Sequence, residues 1–369
     1  MSPNKVPFVN LGAQYLVLRD DILARFDDIS RRGAYILGPE VQTFEADFAA
    51  YCGTRHAISV GNGSDALIMV LWALGIGPGD EVIAPPNSFV ATAWAIARTG
   101  ARIVFADVAD DMNIDPEKVR AAITPRTKAI MPVHLTGRVA QMEELEKICA
   151  NKGIVLIEDS AQAVGARRHG RRAGSFGLAA GFSLHPLKNL HAHGDGGVIT
   201  TNDDVLCDKL CKYRNHGLRD RDHCEFWGVN SRLDTIQAAI AGLKLKRLDG
   251  WNSRYREIAT RYRNALGASF WTPSDAAFEE PVYHRFMIRH PRRDALAAYL
   301  AAHGVETRVN YPIPLHLQEA AADLGHREGD FPMAEEQART ILSLPIYPEL
   351  EDAQVDYVID KTLEFIKTC

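Results

Sequence analysis

The sequence predicts an α/β fold, with a mainly parallel central sheet in a large domain over residues 1–245 and a smaller C-terminal α+β domain over residues 246–369. Three observations predict it. Through the first two-thirds of the chain, short apolar segments alternate with helical patterns, as parallel strands joined by covering helices must. One segment, Ile154-Val155-Leu156-Ile157, is apolar at every position, the mark of a strand buried on both faces. From Leu233 onward the pattern changes to a long helical region and then to mixed helix and strand.

Taken in order, Ala57–Val60 reads as a first short strand, and Gly61-Asn62-Gly63-Ser64-Asp65 as a glycine turn opening the apolar helix Ala66 to Leu74. Glu81–Ala84, Arg102–Phe105 and Ala129–Val133 read as further strands, followed by the run that ends before Asp159. Ser183 to Gly197 holds too much Pro, Gly and polar residue to be one uninterrupted helix, and reads as an irregular loop. The helical region after Leu233 carries apolar residues at Ile236, Ile240 and Leu243, and Gly250 is where it should break. Tyr283–Ile288 then reads as a strand, Arg293 to His303 as a helix stopped by Gly304, Val305 to Val309 as a strand, with two terminal helices after it. No repeat or low-complexity linker interrupts the chain, so the two domains should pack firmly.

The chemistry gathers around three features. Open α/β sheets bind ligands beyond the carboxyl ends of their strands, where Glu158-Asp159-Ser160-Ala161-Gln162 lies. Asp159 there can pair with a protonated pyridine nitrogen and keep the ring cationic. Lys188, in the irregular loop, can store a cofactor aldehyde on its amine. Strand, glycine turn and helix start at Gly63 and Ser64 make an anion site, since free amides and the positive end of the helix dipole face outward. Acid, lysine and anion site together point to pyridoxal phosphate. Taken singly each has a plainer reading: a helix cap for Asp159 or Ser64, a solvated side chain for Lys188.

Further segments complete a recognisable set: Tyr35-Ile36-Leu37-Gly38-Pro39-Glu40-Val41, Gly77-Pro78-Gly79-Asp80-Glu81-Val82, Lys188-Asn189-Leu190 leading into Gly194-Asp195-Gly196-Gly197, Gly228-Val229-Asn230-Ser231-Arg232-Leu233-Asp234, and Tyr311-Pro312-Ile313-Pro314-Leu315-His316. With the acid, lysine and glycine-turn motifs in the same order, the chain resembles the DegT/DnrJ/EryC1/StrS sugar aminotransferases over nearly its whole length. That resemblance implies a pyridoxal-phosphate-dependent transferase of fold type I, like aspartate aminotransferase. It also implies transfer of an amino group, from L-glutamate as usual donor, to a nucleotide-linked keto sugar in amino-sugar biosynthesis. The cofactor passes through its pyridoxamine phosphate form. The Gly228–Asp234 and Tyr311–His316 segments favour the C3 position of the sugar.

By the same resemblance Lys188 holds the cofactor and shuttles the proton, Asp159 binds the pyridine nitrogen, and Gln162 meets the phenolic oxygen. Gly63, Ser64 and Ser183 hold the phosphate, joined by Asn230 from the second subunit of a homodimer, whose active site then lies at the subunit interface. Phe89 stacks on the ring, against the plainer reading of a core phenylalanine. His185, Arg232, Tyr311 and His316 are the candidate substrate contacts. Asn310 stands where some relatives acting on keto-uronic acids have histidine, which argues against that substrate. Two other functions stay open: transfer to a keto sugar phosphate or cyclitol, and a non-catalytic regulator that keeps the cofactor fold.

Composition bounds the rest. The 369 residues, 46% hydrophobic and 24% charged, can bury one large core and a second smaller one. A net charge of −5 gives no reason to expect nucleic acid. Arg167, Arg168, Arg171 and Arg172 form a basic cluster that could meet a diphosphate, though a solvated hairpin tip is the better reading. His185, His191 and His193 crowd the lysine loop, but without a carboxylate or thiolate at ligand spacing no metal is expected. Six cysteines lack paired spacing and read as free thiols, including Cys207 and Cys211 one helical turn apart. Met1 to Pro7 shows no apolar leader, and no run is long enough to cross a membrane, so a cytoplasmic location is expected.

Overall fold

The computed structural model describes residues 5–368. Met1 to Asn4 of the N-terminal reading, and Cys369, lie outside the described residues; the other five cysteines are free thiols.

Helices α1 (Leu11–Arg32) and α2 (Pro39–Cys52) lead into strand β1 (His56–Val60) and α3 (Gly63–Ala73). Alternation follows: β2 (Glu81–Ala84), α4 (Val90–Arg98), β3 (Arg102–Phe105), α5 (Pro116–Ala122), β4 (Thr127–Ile130), α6 (Met142–Lys152) and β5 (Val155–Asp159). A short hairpin, β6 (Arg167–Arg168) and β7 (Arg171–Arg172), precedes β8 (Ala179–Ser183), β9 (Gly197–Thr201) and α7 (Asp204–Tyr213). Next come α8 (Thr235–Leu245), α9 (Leu248–Leu266), β10 (Glu279–Glu280), β11 (Phe286–Arg289), α10 (Arg293–Ala302), α11 (Pro332–Thr340), β12 (Ile341–Leu344) and α12 (Asp352–Thr368).

Seven strands form the central sheet in the order β1-β9-β8-β5-β4-β2-β3. It is parallel throughout except for β9, which runs antiparallel to both β1 and β8. Because β9 reverses, its first residue Gly197 pairs with the last residues of both neighbours, Val60 and Ser183. Three strand ends therefore meet at one edge, beside the end of β5. The strands are apolar because helices cover both faces: α3 and α4 on one side around Leu67, Val70 and Ile96, and α5 and α6 on the other around Val119, Leu145 and Ile148. A separate core forms where α9, α10 and α12 pack on β11 and β12, with Tyr262, Phe286, Leu300 and Phe365 buried.

The C-terminal third departs from expectation in four ways. The long helix breaks at Lys246 and Arg247, and Gly250 lies inside α9. The turn follows packing partners, since α8 lies against α1 and α2 while α9 lies against α12, and that geometry outweighs glycine's weak local preference. Val305–Val309 is extended but forms only single bridges, Val6 to Val305 and Arg308 to Ser343, in place of a strand. Strand β11 begins at Phe286 because Tyr283, at φ 46°, leaves the extended conformation and the chain bends through His284 and Arg285. Between the two terminal helices runs β12, an unforeseen strand pairing antiparallel with β11.

Candidate active site

A cavity of about 730 Å³ opens at the carboxyl ends of β1, β5 and β8. Strand β5 positions its floor. Alternation along a strand sends adjacent side chains to opposite faces, and here it splits two neighbouring acids. Glu158 turns away and accepts from the amides of Gly174, Phe176 and Gly177, each at 2.8 Å, and meets His134 Nε2 at 2.9 Å. Asp159 faces the cavity. Its Oδ2 accepts from Thr92 Oγ1 at 2.7 Å and its Oδ1 from the Ala161 amide at 3.2 Å. Burial pushes the Asp159 carboxyl above its ordinary range, while Thr92, the Ala161 amide, Lys188 and His134 pull it back toward the ionised form.

Lys188 sits in the loop between β8 and β9, its amide donating to the His185 carbonyl at 2.8 Å. The side chain lines the cavity. Burial first, and the Arg285 charge second, lower its pKa to about 8, with Asp159 opposing. An amine so placed is neutral at a pH where an ordinary lysine is charged.

The anion site is a feature of backbone. Asn62 caps α3, its side chain accepting from the Asp65 amide at 2.8 Å, and the amides of Gly63 and Ser64 in the first turn have no partner one turn back. A Cβ on Gly63 would fall 2.7 Å from the Cβ of Ser183, so only glycine lets these two segments close. Amide donors, a helix N-terminus, the Ser64 and Ser183 hydroxyls, the buried acid and the buried lysine fit pyridoxal phosphate as a donor set.

Gln162 receives the Thr136 amide on Oε1 at 3.0 Å and hydrogen-bonds the Tyr311 hydroxyl. Phe89, the residue capping α4, is half exposed at the rim, its ring centroid 5.7 Å from that of Tyr311. It is no core phenylalanine. His185 also lines the cavity, with a pKa lowered by burial and by Lys188.

The structure thus brings together Gly63, Ser64, Phe89, Asp159, Gln162, Ser183, His185, Lys188 and Tyr311, and leaves three candidates outside. His316, expected at the substrate, is buried elsewhere: a short 3₁₀ turn carries its ring against Phe331, with Nε2 3.1 Å from Glu335 Oε1. Arg232 donates to Asn215 Oδ1 at 2.9 Å, and exposed Asn230 bridges to Asn215 through its backbone. His191 is buried against Gln14 and Lys244, and His193 packs near Tyr15. The arginine cluster does form a hairpin. Three of its four arginines are engaged by carboxylates, Arg168 by Glu143 and Glu279, Arg171 by Glu146 and Arg172 by Asp249.

Sequence reasoning missed Thr92, His284, Arg285 and Asp195, all at the cavity. Thr92 gave no signal, being one small residue on an apolar helix. Arg285 gave one: a cation inside the otherwise strand-like run from Tyr283 to Ile288.

An open α/β sheet with a buried lysine, a cavity-facing acid and a backbone anion site defines a pyridoxal-phosphate-dependent aminotransferase of the aspartate aminotransferase-like fold. Solved structures of similar fold hold this cofactor or its pyridoxamine form. The chain belongs to the DegT/DnrJ/EryC1/StrS aminotransferase family, whose model matches residues 17–363. It is 46% identical to a pleiotropic regulatory protein of Geobacillus stearothermophilus, over 98% of this chain and 99% of that protein. It is 44% identical to dTDP-3-amino-3,4,6-trideoxy-alpha-D-glucose transaminase of Streptomyces venezuelae, over 98% of this chain and 96% of that one. The crystal structure of S. venezuelae DesV in complex with a ketimine intermediate superposes with a TM-score of 0.97 at 44% identity, covering 99% of each chain.

Proposed function

We propose that this enzyme transfers an amino group from L-glutamate to the C3 carbonyl of a nucleotide-linked keto sugar. The observation that carries the reading is the meeting of Lys188, Asp159 and the Gly63–Ser183 cradle in one cavity. The sugar comes from the relatives: several are named for 3-amino or 3-oxo sugars carried on dTDP or UDP.

Pyridoxal phosphate, when bound, supplies an electron sink and a carrier for the nitrogen. The chain's residues divide the remaining work. Gly63, Ser64 and Ser183 would hold the phosphate, Phe89 would stack on the ring, and Gln162 would hydrogen-bond its phenolic oxygen. Asp159, whose carboxyl burial pushes up while Thr92 and the Ala161 amide favour its ionised form, would pair with the ring nitrogen, whose positive charge would favour that form further. Lys188 would anchor the cofactor between turnovers, and its amine, with a pKa lowered to about 8, would take the α-proton of the donor and hand it on. The same amine works in reverse on the sugar, so donor and acceptor take turns in one site and the kinetics are ping-pong. His185 and Tyr311 line the space left for substrate.

Asn230 and Arg232 lie outside their own cavity, which supports their service in a partner's. We therefore include in the proposal a homodimer whose interface completes each site, a division at residue 245 between large and small domains, and a cytoplasmic location. Light scattering on the eluted peak tests the dimer.

A non-catalytic regulator is the second reading, favoured by the name of the Geobacillus relative. Retention of Lys188, Asp159 and Gln162 together weighs against it. The test is spectroscopic. Pyridoxal phosphate on a lysine absorbs at roughly 400 nm and its amine form at roughly 330 nm, so L-glutamate should move the band. A band that no amino donor moves would leave the regulator standing. Stabilisation against heat by UDP or dTDP separates a nucleotide sugar from a sugar phosphate or cyclitol, for which neither nucleotide should act.

A further inference from the structure

Arg285 is nine-tenths buried at the wall of the active-site cavity, and among the described residues no carboxylate pairs with it. Its Nε has no hydrogen-bond partner among the described residues. Its Nη1 donates to the carbonyl of its own neighbour, His284, at 2.8 Å. The groups whose charge bears on it are Tyr255, Tyr311 and a second cation, Arg308, with no carboxylate among them. Phe8 lies against it, the ring centroid 4.9 Å away.

Other buried arginines of this protein are arranged differently. Arg138 has Glu279 and Asp275, Arg168 has Glu279 and Glu143, and Arg214 has Glu45. A buried charge without a counter-ion is costly, so a site that holds one is complete only when an anion enters it. The cofactor phosphate is not that anion, because its cradle is built by Gly63, Ser64 and Ser183 at the start of α3. Arg285 instead stands beside the reacting amine, where its charge is the second cause of the lowered Lys188 pKa.

We propose that Arg285 binds the α-carboxylate of the amino-acid donor, the group attached to the carbon from which Lys188 removes the proton. Nε and the neighbouring Nη present the planar fork that a carboxylate matches with two parallel hydrogen bonds. Bound so, the donor has its α-carbon turned toward Lys188 and its side chain free to extend elsewhere in the cavity. This assignment rests on the transamination reading above.

The experiment uses cofactor-loaded wild type, Arg285→Gln and Arg285→Lys. Each is titrated with L-glutamate and with L-glutamine while the cofactor band is followed, then with the unreactive dicarboxylate glutarate by calorimetry, and with UDP and dTDP. Loss of a charge-assisted pair is expected to raise the concentration of either donor needed for half-conversion about 100-fold in Arg285→Gln and about tenfold in Arg285→Lys. Glutarate should weaken in parallel, and nucleotide binding should stay within about twofold of wild type. The band present before any donor is added reports folding; if Arg285→Gln fails to keep it, Arg285→Lys decides. An effect on nucleotides alone would move Arg285 to the sugar diphosphate, and an effect on L-glutamate alone would move it to the distal carboxylate; either overturns the proposal. Should wild type convert while both variants convert at unchanged donor concentration, Arg285 has no such role. Should wild type convert with no amino acid, the transamination reading itself falls and this assignment with it.

Discussion

Lys188, like Asp159, His185, His284, Arg285 and Tyr311, is a cavity group whose ordinary chemistry is altered by where the backbone puts it. Its pKa of about 8 gives a direct expectation for the cofactor-free protein. Only the neutral amine attacks an aldehyde, so capture of pyridoxal phosphate should speed up as pH rises through about 8 and level off above it. An unperturbed lysine would keep accelerating toward its own pKa of ~10.4; stopped-flow absorbance distinguishes the two. Thr92 acts on the acid opposite. Its hydroxyl stabilises the ionised form of Asp159, and burial already favours the neutral form. Thr92→Val should therefore raise the Asp159 pKa further and weaken cofactor affinity by about tenfold, the worth of a hydrogen bond to a charged group. The sign is testable: on acidification the variant should lose cofactor at a higher pH than wild type.

At the level of single elements, β5 does two jobs with two adjacent residues. Glu158 ties down the turn from Gly174 to Gly177 through three amide bonds, and that turn leads into β8. Glu158→Gln would set an amide NH₂ among donors that need an acceptor, and is expected to cost about 2–4 kcal/mol in urea unfolding. Elements of this kind were legible in proportion to their burial. The short runs at Glu81–Ala84 and Arg102–Phe105 matched strands residue for residue, β2 because it is buried along its whole length and β3 because its apolar residues follow directly on the turn at Gly100. The loop from Ser183 to Gly197 was legible from its prolines and glycines. β12 was not, since Ile341–Leu344 follows a helix without a turn signal and four residues carry little period. The contacts of His316 were hidden for another reason: its partner Glu335 lies nineteen residues away, and only the folded chain brings them together.

Across the whole molecule, buried ion pairs join what the sequence separates. Glu279 receives Arg138 and Arg168, and Asp275 receives Arg138 and Arg263, so the segment before β11 is clamped to the turns beside the sheet and to α9. Removing one partner of a buried set strands the others. Glu279→Gln is expected to destabilise the protein by about 3 kcal/mol in urea unfolding, with little change in the cofactor band. Such clamps cannot be read from sequence, because arginine and glutamate scattered through a chain look like ordinary solvated surface. At the hairpin the expected turn formed, and three of its four arginines, Arg168, Arg171 and Arg172, are engaged by carboxylates.

The close approach at Gly63 has a consequence for the order of events during synthesis. Gly197 meets the same corner, where a Cβ would fall 2.3 Å from the Asn62 carbonyl, so the socket needs β1, β8 and β9 locked side by side. A nascent chain that has emerged past Lys188 but not past Thr201 owns the reactive amine and lacks the grip. Cofactor capture is thereby postponed until the sheet's one reversed strand has been inserted. A fragment ending at residue 196 should leave pyridoxal phosphate unbound, and its retention of the cofactor with native affinity would contradict this timing.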